Sequence, residues 1–313
     1  MAGQSKSSIK VLAVLDKTRD GNGFIIRAIR NGQVLYILVP ADIFPSGWDK
    51  ASTSPEPDLS IIPESDNCKV WTLSASSGIG CRRVIQARGN GIPKKPLEGV
   101  TGIDDIRGSP NLMTAEYSEF TPVKTWPASG GRRTDRVQAA KHPKLKDSVV
   151  IKIVEIPDHL PIGENDQIPL GTGEAEMRTE ITNHYKMSSL GLAPKFIGLV
   201  TEQGRGVIGY IMENIRDCQS YEEIKAKAKG KLPPAEIKNV LAVVDQMHRL
   251  GIYHGDLHLG NLLKRADGSI TIIDFQHAQP LGPNGHVEGK PILSAENERE
   301  ELEEELDEIG VRR

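Results

Sequence analysis

Asp256 and Asn261 stand five positions apart in the run His254-Gly255-Asp256-Leu257-His258-Leu259-Gly260-Asn261. Asp274 follows thirteen residues after Asn261, in Ile272-Ile273-Asp274-Phe275. Phosphoryl transfer from ATP needs this set: one carboxylate to orient a hydroxyl, and an amide and a second carboxylate to hold magnesium. The Asp256–Asn261 pair ends a loop, and the apolar run before Asp274 reads as a strand. His254, His258 and His277 offer a rival chemistry, a zinc site, but the carboxylates fit phosphoryl transfer better.

The rest of the chain must position these groups. Its 313 residues suffice for two domains and a sizeable core. No apolar run approaches the ~18 residues that span a bilayer. Met1 to Lys10 lacks the apolar centre of a secretory signal, so a cytoplasmic or nuclear protein is expected, neither secreted nor membrane-bound. Cys68, Cys81 and Cys218 are odd in number and widely spaced, which argues against a disulfide framework or a structural zinc site. The net charge is -3, yet residues 296–313 alone carry nine acids and three bases. No basic stripe extends elsewhere, so nucleic acid is not an expected partner.

Residues 1–112 read as a β-rich domain or extension. Short β-type runs occupy Ile9–Leu15, Phe24–Arg30, Gln33–Val39, Lys69–Ser74 and Arg82–Ala87, and Asn31-Gly32 predicts a hairpin turn. Gly89 to Pro110 reads as a linker. Beyond it, strands are expected at Glu116–Trp126, Val137–Lys141, Ser148–Glu155, Phe196–Thr201, Val207–Met212 and Ser269–Phe275. Residues 157–173 read as an insertion loop. Met177, Ile181 and Tyr185 mark one face of a helix over Glu174–Leu190. A second helix runs from Pro234 to Leu250, with Ile237, Val240, Leu241, Val244 and Met247 on its buried face. In the acidic segment 296–313, Leu302, Leu306 and Ile309 suit one helix face, while the composition equally suits a solvated tail.

Taken in order, these parts resemble the protein-kinase-like fold from about Gly130 to Phe275, just under half of the chain. Several motifs in the correct order carry the resemblance. It implies an α+β, two-lobed kinase-like domain over 113–295, with a small lobe at 113–215 and a large lobe at 216–295, preceded by the β-rich extension and followed by an acidic tail. Val149-Val150-Ile151-Lys152 looks like the strand with the ATP-anchoring lysine, and Val137 begins the strand before it. Glu180 is the carboxylate that pairs with Lys152, with Glu174 and Glu176 as rivals. Met212-Glu213-Asn214-Ile215 looks like the hinge that takes the adenine edge through its backbone. The resemblance makes Asp256 the catalytic base, Asn261 and Asp274 the magnesium ligands, and His254 a brace for the loop. His258 stands where conventional protein kinases have a lysine, which is similar to aminoglycoside and choline phosphotransferases. It either meets the transferred phosphate or supports the loop.

The departures are specific. Only Gly130 falls on a glycine position of the phosphate-covering loop; Arg132 and Asp135 hold the other two. Gln276 replaces the glycine after Asp274-Phe275, and Ser294 is the sole hydroxyl residue after Phe275. The 38 residues beyond Phe275 imply a truncated large lobe, to be completed by residues 1–112 or by a protein partner, with a partner of the acidic tail as the other expectation. The expectation is an ATP- and magnesium-dependent kinase acting on a protein hydroxyl. A small-molecule kinase and a pseudokinase scaffold are the alternatives.

Overall fold

The computed structural model describes residues 9–15, 23–31, 33–40, 62, 70–77, 83–89, 100–125, 137–154, 172–202, 206–228 and 232–307. Gly32, Gly130, Arg132, Asp135 and Ile309 lie outside them, as does most of the expected insertion loop. The fold is mixed α+β. It divides into two compact units that interleave in sequence. One comprises Met1–Gly99, Thr114–Gly173 and Leu199–Gly209; the other comprises Val100–Met113, Glu174–Gly198 and Tyr210–Arg313. The chain passes between the units within the strands Met113–Glu116, Phe196–Glu202 and Gly206–Glu213 and within the helix Thr172–Ser189.

The first unit begins with five strands in sequence order: β1 Lys10–Leu15, β2 Gly23–Arg30, β3 Gln33–Pro40, β4 Val70–Ser77 and β5 Arg83–Gly89. Asn31 takes a positive φ of 50° in the turn between β2 and β3, the conformation that an Asn-Gly turn needs. On β3, Val34, Leu35, Tyr36 and Ile37 are all buried, so both faces of that strand are covered. Buried Tyr36 donates its hydroxyl to Glu202 Oε1 at 2.5 Å.

A six-stranded sheet follows. Its strands are β6 Met113–Glu116, β7 Thr121–Thr125, β8 Val137–Lys141, β9 Val149–Ile153, β10 Phe196–Glu202 and β11 Gly206–Glu213, in the order β6-β10-β11-β9-β8-β7. The single strand expected over Glu116–Trp126 is instead two, separated by a 3₁₀ turn at Tyr117–Glu119. Glu116 and Glu119 form a reciprocal capping box there, which breaks the ladder. Every residue of β9 is buried, as expected of an interior strand covered on both faces.

In the second unit the expected linker contains a short helix, α1 Asp104–Arg107, with Val100, Ile103 and Ile106 buried. Helix α2, Thr172–Ser189, buries Met177, Glu180, Ile181, His184 and Met187, an inward stripe that includes two ionisable side chains. The small elements are β12 Gln219–Ser220, α3 Tyr221–Lys227, β13 Ile252–Tyr253, β14 Leu262–Lys264, β15 Ile270–Ile272, β16 Gln279–Pro280, β17 His286–Val287 and β18 Lys290–Ser294. Helix α4, Pro234–Arg249, starts on a proline whose missing N–H costs nothing in a first turn, and buries Val240, Leu241, Val244 and Met247.

The acidic segment resolves into a helix rather than a tail over its described part. Helix α5 spans Ala295–Asp307. Leu302 and Leu306, each 1% exposed, join Met247, Leu259 and Phe275 in one hydrophobic core. The i, i+4 pair offsets an otherwise solvated helix face. Leu302→Ala is expected to lower unfolding free energy by about 2–5 kcal/mol, read as a shifted urea midpoint. An unchanged midpoint would return the segment to the status of a tail.

Candidate active site

The loop after β13 is built on one imidazole. His254 is fully buried; its Nε2–H donates to Ile273 O at 3.0 Å and its Nδ1 accepts from Asp256 N–H at 3.3 Å. These two partners require the neutral, Nε2-protonated ring. Burial agrees with this assignment, since it pushes the His254 pKa below its ordinary value. The ring thus fixes Asp256 on one side and the residue before Asp274 on the other. Gly255 has φ +80°, and a Cβ there would stand 2.4 Å from His277 O, so the close approach of the two segments depends on glycine.

Asn261 closes the loop. It is 7% exposed, and its Nδ2–H donates to Asp256 O at 2.8 Å and Oδ2 at 3.4 Å. Its backbone O accepts from Ile273 N–H at 3.0 Å. The β14–β15 register pairs Leu262 with Ile272, which brings Asn261 and Asp274 to the same end of that hairpin. Asp274 takes the left-handed conformation, φ 69° and ψ 62°, uncommon for any residue but glycine. It therefore ends the strand earlier than the expected Phe275. With Nδ2 engaged by Asp256, a cation at this end of the hairpin would meet Asn261 through Oδ1 and Asp274 through its carboxylate. This hard-oxygen pair fits magnesium, which keeps several waters and takes few protein ligands. Among the described residues no three His, Cys, Asp or Glu side chains cluster as a metal site. Exposed His258 accepts from Gly260 N–H through Nδ1 at 3.1 Å, capping the 3₁₀ turn Leu259–Asn261.

A run of rings joins this loop to α2. Phe275 is fully buried, with its ring 5.2 Å from His254 and 6.1 Å from His184. His184 lies 4.9 Å from Tyr210, which stacks on Phe196 at 5.5 Å. Tyr210 donates its hydroxyl to Glu180 Oε1 at 2.7 Å, and Glu180 is fully buried. His184, Phe196 and Tyr210 were not among the expected site residues. The signal for His184 was its place four residues after Glu180, on the same inward face of α2.

At the end of β11, Met212 is 9% exposed. Glu213 holds Arg265 with two 2.9 Å contacts, and that guanidinium keeps its carboxyl below the usual range. Its N–H donates to Lys195 O at 2.9 Å. The carboxylate and the N–H of Glu213 are thus committed to the fold. Ile215 O accepts from Cys218 Sγ at 3.4 Å. Lys152, 4% exposed, lies in the first unit directly across the ladder from Val137. Glu180 belongs to the second unit.

The lipopolysaccharide kinase (Kdo/WaaP) family matches residues 192–286, a stretch that holds Met212 to Ile215, the whole Asp256 loop and Asp274. Two protein kinases match as well. CBL-interacting serine/threonine-protein kinase 12 of Arabidopsis thaliana is 23% identical over 45% of this chain and 26% of its own length. CBL-interacting protein kinase 15 of Oryza sativa subsp. japonica is 25% identical over 45% of this chain and 30% of its own. These matches support a protein-kinase-like superfamily assignment for the chain. The chain spans only about a quarter to a third of the curated relatives it matches.

The neutral His254 has a consequence for pH. The unfolded chain carries an ordinary imidazole, with a pKa of about 6.5, and the folded one titrates lower. The unfolded state therefore binds more protons just below that value. The contribution is complete above about pH 6.5 and is lost as pH falls through the window below it. Urea unfolding between pH 8 and 5 is expected to show a steeper loss for wild type than for His254→Gln. Equal slopes would place the proton elsewhere.

Proposed function

We propose that the chain is an ATP- and magnesium-dependent phosphotransferase that moves the γ-phosphate to a hydroxyl, that of a protein serine or threonine. The observation that carries this reading is the fixing of Asp256, Asn261 and Ile273, the residue before Asp274, by three hydrogen bonds and one buried ring. Exposed Asp256 orients the acceptor hydroxyl and takes its proton. The oxygen then bonds to the γ-phosphorus as the bond to the ADP oxygen breaks. Asn261 and Asp274 would hold magnesium, which when bound neutralises charge on the phosphates.

The remaining roles follow the same reading. Lys152 anchors the phosphates and Glu180 is its carboxylate. Val137, Met212, Asn214 and Ile215 contact the nucleotide. Glu213 contributes only its carbonyl, since its N–H is committed to Lys195. Gly130 belongs to the phosphate-covering loop. His258 supports the loop through its cap. The finer architecture, two lobes with a shortened large lobe, belongs to this proposal, as does a cytoplasmic or nuclear setting. No helix among the described residues is long and apolar enough to cross a membrane.

A second reading has its own support. The family that matches the catalytic segment is named for lipopolysaccharide kinases, which favours a small-molecule or sugar hydroxyl as acceptor. Transfer from γ-labelled ATP with magnesium decides among the readings. Asp256→Ala is expected to lose about 10²–10⁴-fold in rate, and Asp274→Ala to lose magnesium-dependent ATP binding. Label on protein supports the first reading and label on an added sugar or amino alcohol the second. A wild type that binds no ATP with magnesium would make the chain a scaffold.

A further inference from the structure

Helix α5 reads from composition as a solvated strip of acids, yet one of those acids is among the most buried in the unit. Glu298, in its first turn, is 4% exposed. Its Oε1 accepts from Gly255 N–H at 2.7 Å. Its Oε2 accepts from His254 N–H at 3.1 Å and from Nε2–H of His248 at 2.7 Å. His248 sits in the last turn of α4 with a side chain only 8% exposed. Three donors converge on one carboxylate, so both of its buried oxygens are satisfied. Two of the donors are the peptide groups immediately before Asp256.

Seven residues along α5, two turns on and on the same face, Glu305 Oε2 accepts from Leu259 N–H at 3.3 Å. Lys225 of α3 donates to the backbone oxygen of Glu305 and so holds that turn in place. The two glutamates grip the loop on either side of Asp256, at 254–255 and at 259. Gly255 is the residue with φ +80°, so the first grip acts on the backbone conformation least able to hold itself.

We propose that Glu298, oriented by His248 and seconded by Glu305, is a positioning residue that sets the place of Asp256 for phosphoryl transfer. The inference rests on the phosphotransferase reading given above. A carboxylate that accepts from both peptide groups holds the loop in one register. An amide in its place turns an N–H toward an N–H and releases one side.

The test measures kcat, the KM for ATP, thermal midpoint and amide hydrogen exchange on the full chain. Glu298→Gln is expected to lower kcat at least about tenfold, since small displacements of a reacting group cost that much or more, with the KM for ATP little changed. Exchange at residues 254–259 should quicken. His248→Gln keeps a donor where Nε2 lies and is expected to stay near wild type, whereas His248→Leu loses activity. This pair still decides if Glu298→Gln does not fold. Glu304→Gln, an exposed residue of the same helix, is the control. Wild-type kcat in Glu298→Gln, or equal effects of His248→Gln and His248→Leu, overturns the inference while leaving the enzyme a kinase. Absence of transfer by wild type instead removes the reading on which it rests.

Discussion

The neutral ring of His254 is the constraint on which the site depends. An imidazole with no exposed surface must satisfy both nitrogens inside the protein. It does so with the amide of Asp256 and the carbonyl of Ile273, nineteen residues away along the chain. The chemistry needs one carboxylate at the end of a loop and another at the end of a strand, in fixed relation. Neither a loop nor a three-residue strand supplies that rigidity alone. The ring does, because each bond lost leaves a buried polar group unpaired at about 1–3 kcal/mol. Phe275 packs against the same ring, so the backbone strain at Asp274 is held by burial of the next residue.

The same logic extends to α2. A helix that turns Glu180 and His184 inward carries a desolvation cost that only a matched interior offsets. Tyr210 supplies a donor to Glu180, and Pro194 O accepts from Nε2–H of His184 at 2.8 Å. In the first unit, Gly209 plays a comparable part for β9. A Cβ there would lie 2.1 Å from Lys152 O, so β11 approaches the lysine strand only through a glycine. In each unit a buried polar side chain or a close backbone approach is matched by one specific neighbour.

Much of this was legible in the sequence because it rests on local rules. The spacing of Asp256, Asn261 and Asp274 is set by a loop and a hairpin, both short-range. The α4 face followed the helical period, and β9 falls inside the strand expected over Ser148–Glu155. What escaped notice was tertiary. Helix α5 presents just two buried leucines, and its third inward residue is Glu298, which any hydrophobic pattern assigns to water. Helix α3 buries only Tyr221 among lysines and glutamates, so its seven residues carried no periodic signal. The break between β6 and β7 turned on a reciprocal glutamate cap at Glu116 and Glu119, a side-chain geometry that propensity does not see. Glu213 was marked by its place in the hinge, but its tie to Arg265 joins residues 52 apart.

The segment between Asp274 and α5 shows how the assembled state is held. Ser294 is the only serine, threonine or tyrosine after Phe275. Its side chain is 4% exposed, and its Oγ accepts from Asn297 N–H at 3.1 Å in the first turn of α5. A phosphate there would displace a helix cap and enter a buried space, so it would dismantle α5 rather than order a loop. Gln276 occupies the position after Phe275 where a glycine would permit wide backbone changes, and Phe275 itself is locked between His254 and His184. Packing, not a modifiable hydroxyl in this segment, therefore fixes Asp274. Because Ser294 caps α5 and Glu298 follows four residues later, the cap that starts the helix also sets the carboxylate against the Asp256 loop.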